Sequence, residues 1–245
     1  MREAHTVRKW IIWLFWIAVW QAVHILINNI VIFVGPLDMM AALLDQGRTA
    51  GFWITLSHSF FKISLGFLSA FGCGILLGAF AYACPLIREL LEPVMLLVKS
   101  VPVASFVILA LIWIGSGNLS VFISFLVVVP MIYTSTLAGL MSTSNELLEM
   151  ASVFSLPLWK RIRFIYIPAV HPYIVSGCRT ALGMSWKSGI AAEVIGIPDS
   201  SIGEQLYYSK LYLDTAGLFA WTFVIILISA VFERIFLWLL GHIRH

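Results

Sequence analysis

The chain has 245 residues, of which 61% are hydrophobic and 11% charged, and its mean hydropathy is +0.98. Soluble domains carry about 25% charged and about 45–50% apolar residues, so water is excluded as the main solvent of this fold and the bilayer takes its place. A net charge of +3 on scattered basic residues also excludes a nucleic-acid partner.

A membrane-crossing helix needs about 20 mostly apolar residues. By that measure, spans fall near 10–34, 54–83, 94–114, 119–140, 170–196 and 215–240. The first follows Arg2, Arg8 and Lys9 and is too long for the ~7–15-residue apolar core of a secretory signal, so it reads as an uncleaved span. Residues 36–50 read as an external linker with a short interfacial helix from Asp38, and 84–93 as a tight turn bounded by Pro85 and Pro93. Gly115-Ser116-Gly117-Asn118 makes spans three and four a hairpin, and 197–214 form a second loop with Pro198, Gly203 and several acids. The fold class expected is an all-α integral membrane protein of about six transmembrane helices. Residues 1–50 divide off as an N-terminal helix and linker, and 51–245 as a core of five spans.

Lysine and arginine in short loops set orientation. With the N-terminus cytoplasmic, that side carries Arg2, Arg8, Lys9, Arg88, Lys160, Arg161, Arg163, Arg234 and Arg244, and the other only Arg48 and Lys210. Both termini are therefore expected inside. The widely spaced Cys73, Cys84 and Cys178 form no metal-binding pattern and read as packing residues. His24, His58 and His171 read as interfacial packing, and the His242/His245 pair as a tail rather than a metal site. The ten tryptophans gather near span ends as an aromatic belt.

The longest polar interruption, 142–169, lies on the cytoplasmic side. Thr143 and Glu146 fit a capping box for a helix from about Ser144, and Leu147, Leu148, Ala151 and Phe154 recur at helical spacing. Pro157 suits the start of a second short helix that presents Lys160, Arg161 and Arg163 and that Pro168 ends. Two short amphipathic helices projecting from a membrane make a docking surface.

This segment resembles the EAA loop of ABC-transporter permeases, E-A-A-x3-G-x9-I-x-L-P. Glu149 and Ala151 match its start and Ile165, Ile167 and Pro168 its end, while Met150 replaces an alanine and Ser155 the glycine. With Ser155 in place of the glycine, the motif by itself does not establish a left-handed residue at the turn. Among such permeases, the chain is most similar to the nitrate, sulfonate and taurine group. Lys99-Ser100-Val101-Pro102 and Gly177-x-Arg179-x2-Leu182-Gly183-x2-Trp186-x4-Ile190-Ala191-Ala192-Glu193 carry that likeness further. The resemblance implies a type I importer half-pore that pairs with a second permease copy. It also implies cytoplasmic ATP-binding subunits docked on Glu149, Ala151, Ser155, Leu158, Lys160 and Arg161, and a binding protein that delivers substrate outside. No G-x4-G-K-[ST] phosphate loop is present, so the chain is expected to be no enzyme and to need no cofactor of its own.

Ionisable residues inside a bilayer cost roughly 2.5–3.5 kcal/mol each on insertion scales and face a cavity or a partner. In the fifth span, Arg179, Gly183, Trp186, Ile190 and Glu193 share a helical face. With Ser185 and Ser188 beside them, this is the least apolar span and the expected pore-lining helix, with Arg179, Ser185, Trp186, Lys187 and Glu193 along the pathway. Arg179 has a structural reading as well, close to the loop. Lys187 suits an anionic substrate or pairs with Glu193. Two other classes compete. A stand-alone secondary transporter leaves the docking loop without a purpose, and an intramembrane hydrolase using Ser185 lacks a histidine base in the sixth span.

Overall fold

The structure, a computed structural model, describes residues 2–242, without the side chains of residues 2–7 and of Lys9. The Arg2 and Lys9 side chains, Arg244 and His245 thus lie outside the described residues. All regular structure among the described residues is helical. The helices are α1 (Arg2–Ile27), α2 (Pro36–Gly47), α3 (Ala50–Ala83), α4 (Pro85–Ser100), α5 (Val103–Ile114), α6 (Leu119–Met141), α7 (Asn145–Val153), α8 (Leu158–Arg161), α9 (Ile167–Gly196), α10 (Ile202–Leu211) and α11 (Thr215–His242). Helices α1, α3, α6 and α11 are long and apolar enough to cross a bilayer. Helix α9, at 30 residues and about 45 Å, is long enough too, but it carries Arg179, Lys187 and Glu193.

The centre of the fold is α6, packed between α3 and α9. The approach to α3 is close because Gly66, Ala70, Gly74 and Gly78 recur every fourth residue and leave a strip without bulk. A Cβ on Gly74 would stand 2.7 Å from Ile132 Cβ, and one on Gly78 2.8 Å from Thr136 Cβ. On the other side of α6, Gly177 of α9 meets the Ser135 side chain, and a Cβ on Gly189 would stand 2.6 Å from Ser124 Oγ. Small residues and hydroxyls therefore bring the three central helices together, and apolar bulk fills the outside. Phe60, Phe67, Phe232, Phe236 and Trp186 interlock edge to face between α3, α9 and α11.

Several boundaries differ from those expected. The first helix stops at Ile27, well short of residue 34, because Asn28 turns left-handed (φ 45°) and Asn29 Oδ1 accepts from Val31 N at 3.0 Å. The chain then folds back under α1: Trp20 Nε1 donates to Val34 O at 2.8 Å, and His24 Nε2 lies 3.2 Å from Asp38 Oδ2. Residues 84–93 are no turn. Pro85 opens α4, where its missing N–H costs nothing, and Pro93 lies inside that helix.

The break comes further on, so the expected third span is not one straight helix. Pro102 drives Val101 to extended backbone (φ −78°, ψ 133°), and α4 and α5 meet at 103°. At 12 residues, α5 reaches only about 18 Å. Pro168 does not end a helix either. A five-residue π turn, Ile162–Tyr166, carries α8 directly into α9, and Pro168 sits in the first turn of α9, where a missing N–H is tolerated. Beyond α9, the expected loop contains α10, capped by Ser201, whose hydroxyl accepts from Glu204 N at 3.0 Å.

Candidate functional site

Two features of this framework are able to carry function: the α7–α8 loop and a cavity beside the α4–α5 bend. The loop is built tightly for its size. Ser144, not Thr143, caps α7 by accepting from Leu147 N at 3.4 Å. Leu156 N donates to Ala151 O at 2.9 Å, and the turn between them runs through Ser155 at φ 49°. The turn therefore does take a left-handed residue, although its side chain is serine, and it holds that conformation against a cost of about 1 kcal/mol. Arg161 reaches back across the turn, with Nε 2.9 Å from Leu156 O and Nη2 3.3 Å from Ala151 O. A guanidinium thus closes the carbonyl end of α7, where positive charge is favoured.

This arrangement sorts the loop residues into two sets. Ala151 is fully buried and Leu148 half-buried, so the apolar face expected along α7 splits, with these two turned to the body of the protein. Leu147, Met150, Val153, Phe154 and Leu158 turn outward, Val153 and Phe154 being 78% and 72% exposed. Glu149, Ser155 and Lys160 are exposed beside them. Arg163, also exposed, stacks over Trp159 and Phe164 at 5.8 and 5.9 Å.

The residues expected along the pathway separate as well. Ser185, Trp186 and Glu193 face into the subunit's own core. Glu193 Oε2 accepts from Ser59 Oγ at 2.7 Å and from Gly203 N at 3.3 Å, while Ser59 Oγ accepts from Ile202 N at 2.9 Å. Glu193 and Ser59 therefore tie α3, α9 and the start of α10 into one buried knot, and Gly203 packs so tightly on Glu193 that no side chain fits there. Arg179 and Lys187 are exposed, and no ion pair joins Lys187 to Glu193 among the described residues. The shared face misled because α9 is covered on more than one side, by α6, α10 and α11, and polar residues occur on covered and open faces alike.

The open face of α9 is a different stripe: Tyr173, Ser176, Thr180 and Met184, continued by Lys187 one turn on. It borders a cavity of about 610 Å³ whose opposite walls are the α4–α5 bend, with Val98, Lys99, Val101 and Val103, and α6, with Thr134 and Ser135. Lys99 Nζ lies 3.5 Å from Thr134 Oγ1. Neither Lys99 nor these hydroxyls stood out in the sequence as site residues. The available signal was a lysine three residues before a proline in an otherwise apolar segment, with Ser176 and Thr180 four apart.

A helical membrane protein with small-residue packing at its centre, a projecting two-helix loop and an open cavity lined by apolar residues and a few polar ones has the architecture of a transport subunit. The chain belongs to the family of binding-protein-dependent transport system inner membrane components, whose model matches residues 70–245. It is 27% identical over 204 residues to the taurine transport system permease protein TauC of Escherichia coli, covering 81% of this chain and 74% of that one. Its identity is 25% to a putative aliphatic sulfonates transport permease protein of Bacillus subtilis (83% and 74% covered) and 26% to the nitrate import permease protein NrtB of Synechococcus elongatus (76% and 70% covered). Among solved structures, the fold is similar to a bacterial ABC transporter involved in import of the acidic polysaccharide alginate, with TM-score 0.63, 15% identity and 100% and 98% coverage. An amino acid ABC transporter also matches, with TM-score 0.54, 19% identity and 78% and 92% coverage.

Proposed function

We propose that this chain forms half of the membrane pore of an importer, is driven by separate cytoplasmic ATP-binding subunits docked on α7–α8, and passes a small anion such as a sulfonate or nitrate. The observation that carries the reading is the loop itself. Ser144 and Arg161 stiffen it internally, and it presents an apolar face of Leu147, Met150, Val153 and Phe154 flanked by Glu149 and Lys160. Such a surface fits a groove on a partner, and its stiffness suits it to transmit displacement into α9, to which α8 is joined without a break.

The cavity beside α9 is open on one side, and a second copy of the chain closes it into a passage. Residues 51–245 make up the pore core, and the preceding segment is an added anchor in the lipid. An extracytoplasmic binding protein delivers substrate to the α10 side. Both termini are cytoplasmic, in keeping with the distribution of lysine and arginine.

Copurification tests the docking. The chain is co-expressed with the ATP-binding subunit of the same transport system and isolated in nanodiscs, alongside Glu149→Lys and Phe154→Asp. The wild type is expected to retain the ATPase and the variants to lose it or hydrolyse ATP uncoupled from substrate. Unchanged retention and coupling in both variants would remove the loop from this role.

A further inference from the structure

We propose that the bend between α4 and α5 builds a transit site for a soluble oxyanion, held by Lys99 and the amide end of α5 and flanked by the hydroxyls of Ser176 and Thr180. The proposal rests on the reading above that the cavity belongs to an anion pathway.

Four observations converge on it. Among the described residues, Lys99 is the only charged one lining the cavity, and no carboxylate there offsets it. The helix break brings the start of α5 to the same space: Val101 and Val103 line the cavity, and Pro102 O accepts from Ser105 N at 3.0 Å. The amides of Val103 and Ala104 therefore lie ahead of the first helical bond and are free to donate. No acidic residue occupies the first turn of α5 to neutralise that end. Finally, Ser176 and Thr180 project one turn apart from α9 and make no hydrogen bond among the described residues.

A broken helix whose amide end faces a cavity is a general device for meeting an anion inside a membrane. The lysine supplies charge, and the amides and hydroxyls supply directed donors for the several oxygens of a sulfonate or nitrate. Thr134 Oγ1 donates to its own helix at Pro130 O (2.8 Å) and so offers Lys99 a lone pair, holding the ammonium at the cavity wall until an anion arrives. Contact through one exposed cation and a few neutral donors is weak enough for release, which passage requires.

Charge-selective labelling tests the site without knowledge of the natural substrate. Single cysteines replace Ser176 or Thr180 in a chain lacking Cys73, Cys84 and Cys178, set in phosphatidylcholine nanodiscs so that no anionic headgroup is present. Modification by an ethylsulfonate methanethiosulfonate is compared with that by its trimethylammonium counterpart. The ratio of anionic to cationic rates is expected to fall about tenfold in Lys99→Gln and to return in Lys99→Arg, the scale of one nearby charge in partly wetted protein. A ratio indifferent to residue 99, or cysteines that neither reagent reaches, overturns the site. A preference that appears only when phosphatidylglycerol is added assigns the cavity to lipid and overturns it equally.

In proteoliposomes of the full complex, Lys99→Gln is expected to lower methanesulfonate uptake about tenfold while ATP hydrolysis stimulated by the binding protein persists. If the wild type imports no anion, the substrate reading above fails, and the labelling ratio still decides the site.

Discussion

Ser59→Ala removes a single oxygen from the knot that joins α3, α9 and α10. Ser59 and Glu193 are both fully buried, so no bulk water is at hand to replace what is lost. The substitution deletes the 2.7 Å donation to Glu193 Oε2, leaving that oxygen only the longer bond from Gly203 N, and takes away the acceptor of Ile202 N. A hydrogen bond contributes about 0.5–1.5 kcal/mol, and an orphaned buried amide costs about 1–3 kcal/mol. With some relaxation, the expected loss is about 3 kcal/mol, or roughly 6–12 °C in Tm at the ~2–4 °C per kcal/mol found for chains of this length. The assay is thermal denaturation in nanodiscs followed by fluorescence-detected size exclusion, with Ser69→Ala as control. Ser69 donates only to Gly66 O of its own helix, and its loss should shift Tm by less than about 2 °C. In a double-mutant cycle, Glu193→Ala combined with Ser59→Ala should cost less than the sum of the two. A Tm for Ser59→Ala within about 2 °C of wild type, or strict additivity in the cycle, would refute the knot.

Other substitutions probe the remaining elements. Gly74→Val places bulk where a single Cβ would already stand 2.7 Å from Ile132 Cβ, so the α3–α6 pair should part and the yield of monodisperse protein should collapse, whereas Gly72→Val, with open space around it, should express normally. Ser155→Gly should stabilise the α7–α8 loop by about 1 kcal/mol, seen as slower proteolysis between α7 and α8, and Ser155→Val should accelerate it. Arg161→Met removes both carbonyl contacts at the end of α7. It should loosen the loop and weaken ATPase retention severalfold, and retention equal to wild type would mean that the guanidinium does not organise the docking face.

Apolar runs showed where helices lie, and the capping and proline chemistry of 142–169 showed a two-helix loop, because both signals are local. The break at Val101-Pro102 was written in the sequence by the same pre-proline rule, yet apolar composition on both sides hid it inside one apparent span. Facing was the harder matter. Arg179, Trp186 and Glu193 lie on one stripe of an isolated helix, but which stripe is covered depends on where α6, α10 and α11 settle. Glu193 in particular is an ionisable residue whose partners, Ser59 and Gly203, come from α3 and α10. Ser59 stands 134 residues away in sequence. Lys99, part of a segment that carries the family likeness, was not legible as a site residue for the opposite reason: only the bend makes it part of a cavity wall.

The central claim is that energy for transport enters through a partner at α7–α8. The direct measurement is uptake of radiolabelled organosulfonate and of nitrate into proteoliposomes holding the chain with its binding protein, with and without the ATP-binding subunit and ATP. The account predicts uptake only when both the subunit and ATP are present, and its loss in Phe154→Asp, on the exposed face of the loop. Uptake that persists without the ATPase and follows an imposed ion gradient would contradict it and make the chain a secondary transporter.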